Sequence, residues 1–523
     1  MTKQNSAADA VALIPDNAVV AINSSSGLCC PDMVLQALGE RFEAEGSPRN
    51  LTSIHPIAAG DMFGVKGVDH IAKPGCLSKI IGGSYPSGPS SSEPPLIWQM
   101  IASNEVKAYN LPSGIVFDML REGAGHRPGV LTKVGMDTFV DPDQEGGAMN
   151  AAAAAEPIVK RVEFEGEDWL YFSALRPDVA IIRATTGDER GNLGFESEGA
   201  YLGAMELALA AHNCGGTVIA QVRRVARNGS LRPHDVHVPG ILVDVLVEAP
   251  DMLQTTATAY DPAISGELIR PIESFRKMDF GVPKIIARRV AQELRKGWAV
   301  NIGFGVSANV PRVFIEEGRH GDVTWVIEQG AIGGVPLLDF KFGCAANAEA
   351  FVTSPHQFTY FQAGGFDASL LSFLEIDADG SVNVSRLKST PHRTAGAGGF
   401  VDITARARRI VFSGTFNAGA KMRIENGKLV IDAEGHTAKV VPKVDHVSFS
   451  GRRAVATGQE VIYVTERCIM RLTDEGLEVS EIAQGVDVQR DVLDQAETPL
   501  KVADDLRVMD AALFDPAPFG LMP

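Results

Sequence analysis

The chain lacks what would mark it for a membrane, an oxidising compartment or a polyanion. No apolar run approaches the roughly 18 residues of a spanning helix, so no membrane segment is expected. The opening residues, Met1-Thr2-Lys3-Gln4-Asn5-Ser6, lack the charged-then-apolar pattern of a secretory signal. Cysteine is sparse: Cys29, Cys30, Cys76, Cys214, Cys344 and Cys468 are scattered without metal-type spacing. They read as small apolar fillers in a reducing, cytoplasmic setting. Positive charge is also scarce. Lys and Arg number 48 against 65 Asp and Glu, a formal net charge of −17. That argues against a nucleic-acid partner or an anionic membrane. It leaves room for an anionic small ligand, because helix N-termini and local cations bind phosphate inside acidic proteins. The phosphate-loop GxxxxGK[ST], HExxH and GxSxG motifs are missing, which weakens kinase, metalloprotease and serine-hydrolase readings.

What is present is an ordinary globular composition, 45% hydrophobic and 22% charged over 523 residues, enough for two or more cores. One carboxylate stands out. Glu328 closes the β-branched and aromatic run Val323-Thr324-Trp325-Val326-Ile327, and the glycine-rich Gln329-Gly330-Ala331-Ile332-Gly333-Gly334 follows. The run predicts a buried strand and its sequel a tight loop. A carboxylate is thus placed at a strand exit, the edge where open α/β sheets bind ligands.

The surrounding pattern repeats. In the second half, Ile286, Val290 and Leu294 predict an amphipathic helix, followed by a turn at Lys296-Gly297. The strand Trp298–Ile302, a loop of small residues and Pro311 opening a helix come next. In the first half, a turn at Pro15-Asp16-Asn17 precedes the strand Val19–Ile22, the loop Asn23-Ser24-Ser25-Ser26-Gly27 and Pro31 opening a helix. Each proline lies nine residues past its strand. The run Leu51–Pro56 takes the place of the glutamate strand, with Pro56 where Glu328 stands. This predicts two related open α/β halves, only one carrying the carboxylate. Residues 1–250 and 281–523 are expected to form the two domains. Segment 251–280, poorly periodic and rich in Pro and Thr, is expected to be a linker. Further strands are expected at Val179–Ile182, Val218–Val222 and Ile410–Gly414, helices at Ala204–Ala211 and Ala151–Ala155, and mainly β-structure from Met422 to Val464.

A carboxylate is a weak nucleophile. To transfer acyl groups it needs a dry site, fixed geometry and donors for the developing oxyanion. The best donor candidates are Asn301-Ile302-Gly303 and Ala395-Gly396-Ala397-Gly398-Gly399-Phe400. On pattern alone, a strand-end Glu that accepts local backbone hydrogen bonds is the commoner case. Gly303-Phe304-Gly305-Val306-Ser307-Ala308 matches the G-x-G-x-x-A dinucleotide pattern, but Pro311 sits where that helix should already run. His234 and His237 form an H-x-x-H pair without a neighbouring ligand cluster, so turn and packing roles are expected and no metal site.

Together these residues resemble the family I coenzyme A transferases of the fused, single-chain acetate, propionate and 3-oxoacid type. The resemblance covers nearly the whole chain. It includes Tyr109-Asn110-Leu111-Pro112-Ser113-Gly114, Asp188-Glu189-Arg190-Gly191-Asn192, Asp235-Val236-His237-Val238-Pro239-Gly240, the run at Glu328, Gly398-Gly399-Phe400 and Gly414-Thr415-Phe416. The resemblance implies two CoA-transferase domains of the NagB/RpiA-like kind with the active site between them. It implies an acyl-CoA:carboxylate transferase, with Glu328 carrying a glutamyl anhydride and then a glutamyl-CoA thioester. Coenzyme A would be a substrate and no permanent cofactor is expected. The oxyanion and CoA-binding positions map to Asn301, Gly303, Gly398 and Gly399, and the substrate pocket to Ser24, Ser25, Ser26, Gly27, Ser113 and Gln329. Relatives usually carry Gly-Gly-Phe at the first-half loop and often Gln at the position of Ser113. These departures point to an acceptor other than acetate or propionate. The alternatives are an acyl-CoA hydrolase using the same glutamate and a non-catalytic CoA-binding protein. A homo-oligomer is expected, although two halves can form the site within one chain.

Overall fold

The computed structural model describes residues 3–87, 94–390, 393 and 395–521. Two large sheets dominate it. The first has the strand order Gln4–Asn5, Val245–Glu248, Thr217–Ala226, Val179–Asp188, Val19–Ile22, Leu51–His55, Leu77–Gly82, Lys107–Asn110, all parallel. The central strands are buried on both faces, as parallel sheets require, which explains their near-continuous Val, Ile and Ala content.

The second sheet repeats five of these strands in the same order. Thr324–Val326, Ala299–Ile302, Ala368–Ser372, Arg409–Ser413 and Glu460–Val464 lie side by side, all parallel. They match Leu51–His55, Val19–Ile22, Val179–Asp188, Thr217–Ala226 and Val245–Glu248. The flanks differ. Where the first sheet continues with parallel strands, the second turns back with the antiparallel pieces Ala331–Ile332 and Ala350–Phe351. That reversal is the tight turn holding Glu328. Its Gly330 has φ +114° and faces the Val352 carbonyl so closely that no side chain fits.

The helices that feed these strands follow their sequence signals. Asp32–Glu45 begins after Pro31 and stops at Gly46, whose φ of +67° closes a left-handed cap. Val282–Ala291 packs Ile286 and Val290 inward, and Val310–Glu316 carries Pro311 in its first turn. All six cysteines are free, and five are buried. Among the described residues, no helix is long and apolar enough to cross a membrane.

One expectation holds only in the main. The span Met422–Val464 takes most of its regular structure as β-strand but also holds the helix Gly451–Thr457, capped by the Ser450 hydroxyl and ended by left-handed Gly458. Serine before the helix and glycine after it are standard start and stop signals, masked here by the turn-rich residues around them. Another expectation was too simple. Segment 251–280 contains no strand, yet Thr255 and Thr256 pack into the wall of the main cleft.

Candidate active site

A cleft of about 520 Å³ lies between the two sheets. Its walls are built from residues at or just past the carboxyl ends of parallel strands in both halves: Ser25, Ile57 and Ser84 from the first, Gly303, Glu328 and Ser372 from the second. Open α/β sheets bind ligands at this edge. Phenylalanines 340, 342, 373 and 400 make much of the remaining lining apolar.

Glu328 reaches this cleft because the turn after Val326 is fixed at both ends. The Ile327 amide donates to Ala331 O (3.0 Å) and the Gly330 amide to Ile327 O (2.9 Å). Gln329 is buried and its Nε2 donates twice, to Glu328 Oε1 (3.0 Å) and to Ser25 Oγ (3.1 Å). One side chain therefore ties the glutamate to the first-half loop. Burial pushes the Glu328 carboxyl up to about 7, opposed by the Gln329 donor and the Gly399 amide, both of which favour the charged form. A carboxylate held in a largely apolar cleft and steadied by donors has what acyl transfer asks of a weak nucleophile.

The glycine-rich loop over Glu328 is held by the other half. Tyr85 N donates to Ala395 O (2.8 Å), Gly398 N to Gly83 O (2.8 Å) and Ser113 N to Gly398 O (3.1 Å). Asn110 Oδ1 accepts from Ala397 N (2.9 Å), while its Nδ2 caps the Gly82 and Gly83 carbonyls. Gly114 N donates to Asp402 Oδ2 (2.9 Å), and Gln362 Nε2 donates to Asp402 Oδ1 (2.9 Å). Asp402 is fully buried; burial raises its carboxyl to about 8, and negative charge on Asp118 and Glu328 adds to the rise.

These bonds redistribute the roles expected from sequence. Ser25, Ser26, Gly303, Glu328, Gln329, Gly398 and Gly399 all line the cleft. Ser24, Gly27, Ser113 and Asn301 do not. Ser24 is buried with its hydroxyl on Ser26 O (3.0 Å). Gly27 is pressed against a neighbouring pair: a Cβ there would lie 2.5 Å from Thr256 Oγ1 and 2.6 Å from Asp61 Oδ2. Ser113 is fully buried and contributes its backbone amide to the Gly398 carbonyl. Asn301 is also fully buried. Its Nδ2 donates to Val326 O (3.1 Å) and its Oδ1 accepts from Ser369 Oγ (3.2 Å), so its amide clamps the strand leading to Glu328.

Two backbone donors are likewise committed. Gly303 N donates to Leu370 O (2.7 Å) within the sheet, and Gly398 N is taken by Gly83 O. Gly303 lines the cleft by lacking a side chain, since a Cβ there would meet Leu371 Cδ2 at 2.7 Å. The amide facing the glutamate is that of Gly399. A Cβ at Gly399 would lie 2.5 Å from Glu328 Oε2 and 2.5 Å from Phe358 Cε1. The residues missed from sequence are mainly Asn110, Thr255, Thr256 and the cleft phenylalanines. Asn110 left a trace inside the quoted Tyr109–Gly114 motif, and Phe400 inside Gly398-Gly399-Phe400. Of the two histidines, His237 stacks on Tyr201 (ring centroids 4.0 Å apart) and His234 sits in an exposed turn.

Comparison with known proteins fits this geometry. The Coenzyme A transferase family profile matches residues 4–249. The caffeate CoA-transferase of Acetobacterium woodii is 37% identical over 519 residues, covering 98% of each chain. The acetate CoA-transferase YdiF of Escherichia coli K12 is 36% identical over 520 residues, covering 99% of this chain and 96% of its own. The crystal structure of YdiF apoenzyme from E. coli O157:H7 superposes with a TM-score of 0.93 at 34% identity, over 100% of this chain and 98% of that one. Its thioester complex with CoA superposes at 0.91, with the same identity and coverage. The chain belongs to the family I coenzyme A transferases, in the single-chain group of YdiF and caffeate CoA-transferase, and is an acyl-CoA:carboxylate CoA-transferase.

Proposed function

We propose that Glu328 is the residue that carries the transferred groups. Its carboxylate oxygen attacks the acyl-CoA carbonyl carbon; the C–S bond breaks, the thiolate leaves, and an acyl-glutamyl anhydride remains. The thiolate then attacks the Glu328 carbonyl carbon, releasing the first carboxylate and leaving a glutamyl-CoA thioester. An acceptor carboxylate reverses both steps and departs as the new acyl-CoA. One thioester is exchanged for another, so the sequence needs no ATP. The observation that carries this reading is a cleft-lining carboxylate that accepts from Gln329 Nε2 and lies directly against Gly399. The Gly399 amide is the best-placed oxyanion donor.

Within this reading, Gln329 and Ser25 position the glutamate, and Ser25, Ser26, Thr255 and Thr256 face the acyl group. That hydroxyl-lined end favours acids with hydrogen-bonding substituents over acetate or propionate. Assaying acyl-CoA turnover with and without a panel of short, branched, hydroxy and dicarboxylic acids tests the proposal. Acceptor-dependent formation of new acyl-CoA, best with hydroxy acids, is expected. Steady release of free thiol without any acid would favour a hydrolase instead.

A further inference from the structure

Coenzyme A carries its phosphates on the far side of a long flexible arm from its sulfur. An acidic protein must meet them with local cations. Lys439 is placed for this. It precedes the strand Val440–Val441, which pairs with Glu375–Asp377 directly after the cleft residues Phe373 and Leu374. Its ammonium sits over the Phe373 ring, 4.5 Å from the centroid, on a half-buried side chain. A Cβ built on Gly414 would lie 3.4 Å from Lys439 Nζ, so the missing side chain at that strand exit leaves room beside the ammonium.

The ammonium has no hydrogen-bond or ion-pair partner among the described residues. Glu466, the acid whose charge acts on it, spends its carboxylate on Phe416 N (2.9 Å) and Arg467 Nε (3.2 Å). Burial lowers the Lys439 ammonium to about 8. A half-buried cation without an anion is costly to keep, and an arriving phosphate would relieve that cost. Three other basic side chains near the cleft, Lys341, Arg386 and Lys388, are paired with Asp261, Glu145 and Asp445.

The spacing also fits. The strand before Glu328 and the strand ending at Ser413 are three steps apart in the sheet, about 14 Å at the usual inter-strand distance. That is of the order of the extended arm between the sulfur and the diphosphate of coenzyme A.

We propose that Lys439, beside Gly414, binds the diphosphate of the coenzyme A nucleotide while the thioester reaches Glu328. This rests on the transferase reading and adds a specificity residue to it. The test compares Lys439→Met and Lys439→Arg with wild type, using acetyl-CoA, or whichever short acyl-CoA the wild type turns over. Each acyl-CoA is compared with its 3′-dephospho form and with the matching acyl-pantetheine. Lys439→Met should lower kcat/KM for acyl-CoA and its dephospho form by roughly 10- to 100-fold, the range for losing a hydrogen bond to a charged group. It should leave acyl-pantetheine turnover unchanged, and Lys439→Arg should recover part of the loss. Loss confined to the 3′-phosphorylated compound would overturn the diphosphate assignment. Equal losses on all three compounds would show a packing role and overturn the proposal, as would no loss on any. A wild-type enzyme inactive on every compound would instead fail the transferase reading.

Discussion

Replacing Glu328 by Gln should abolish turnover and, at alkaline pH, make the protein more stable. The two effects share one cause. Burial holds the Glu328 carboxyl up at about 7, against an ordinary value of 4.5. A raised acid is disfavoured as an anion in the folded state, so the unfolded chain binds fewer protons between these values and stability falls as pH rises through them. The displacement from 4.5 to about 7 corresponds to about 3 kcal/mol, fully expressed above pH 7 and mostly absent at pH 5. Glutamine is neutral and close in shape to the protonated acid, so the Glu328→Gln protein does not incur this charge-burial cost. Groups not coupled to Glu328 cancel in the comparison, whereas Asp402, whose carboxyl the Glu328 charge helps to raise, adds to the gain at pH 8. Denaturation followed at pH 5 and pH 8 should show the variant gaining about 3 kcal/mol at pH 8, roughly 6 °C in Tm for units of about 250 residues, and under about 1 kcal/mol at pH 5. An equal gain at both pH values, or none at pH 8, would refute the idea that a buried, poised carboxylate is what this cleft stores.

Other outcomes follow from the same contacts. Since only the carboxylate is nucleophilic, kcat/KM for acyl-CoA should rise with pH through an acid limb centred near 7; a limb near 4.5 would mean Glu328 is solvated. Gly399→Ala should cost at least about a hundredfold in kcat, because its Cβ would press on Glu328 Oε2 and displace the nucleophile. Gly398→Ala, at φ +59° with open space around it, should cost about 1 kcal/mol of stability and little activity. Ser25→Ala removes the acceptor that holds Gln329 across the two halves and should lower kcat by about tenfold while leaving stability within about 1 kcal/mol. Asn301→Ala should show the reverse, a loss of about 2 kcal/mol in stability from orphaned buried partners.

Glu328, the proposed nucleophile, was legible because its signal is local. A β-branched strand running into glycine places a side chain at a sheet edge whatever the rest of the chain does, and the strand Val19–Ile22 could be read to the residue for the same reason. What the sequence hid is who holds the loops. Asn110 and Ala397 are 287 positions apart yet share a hydrogen bond, and Thr256 reaches Asp61 across 195. No periodicity reports such pairs. Glycines 303, 398 and 399 look equivalent as letters; only the backbone shows that two of their amides are bound to carbonyls and the third faces the glutamate. The helix Gly451–Thr457 was missed for a different reason, because one short element inside a hairpin-rich stretch has too few turns to show its period.

The most direct measurement is the mass of the peptide containing Glu328 after the enzyme has been mixed with acyl-CoA and quenched without an acceptor acid. Coenzyme A attached at that side chain, lost on adding a carboxylate and absent in the Glu328→Gln protein, is the expected result. An unmodified peptide from enzyme that still converts acyl-CoA, or the adduct on a different residue, would contradict it.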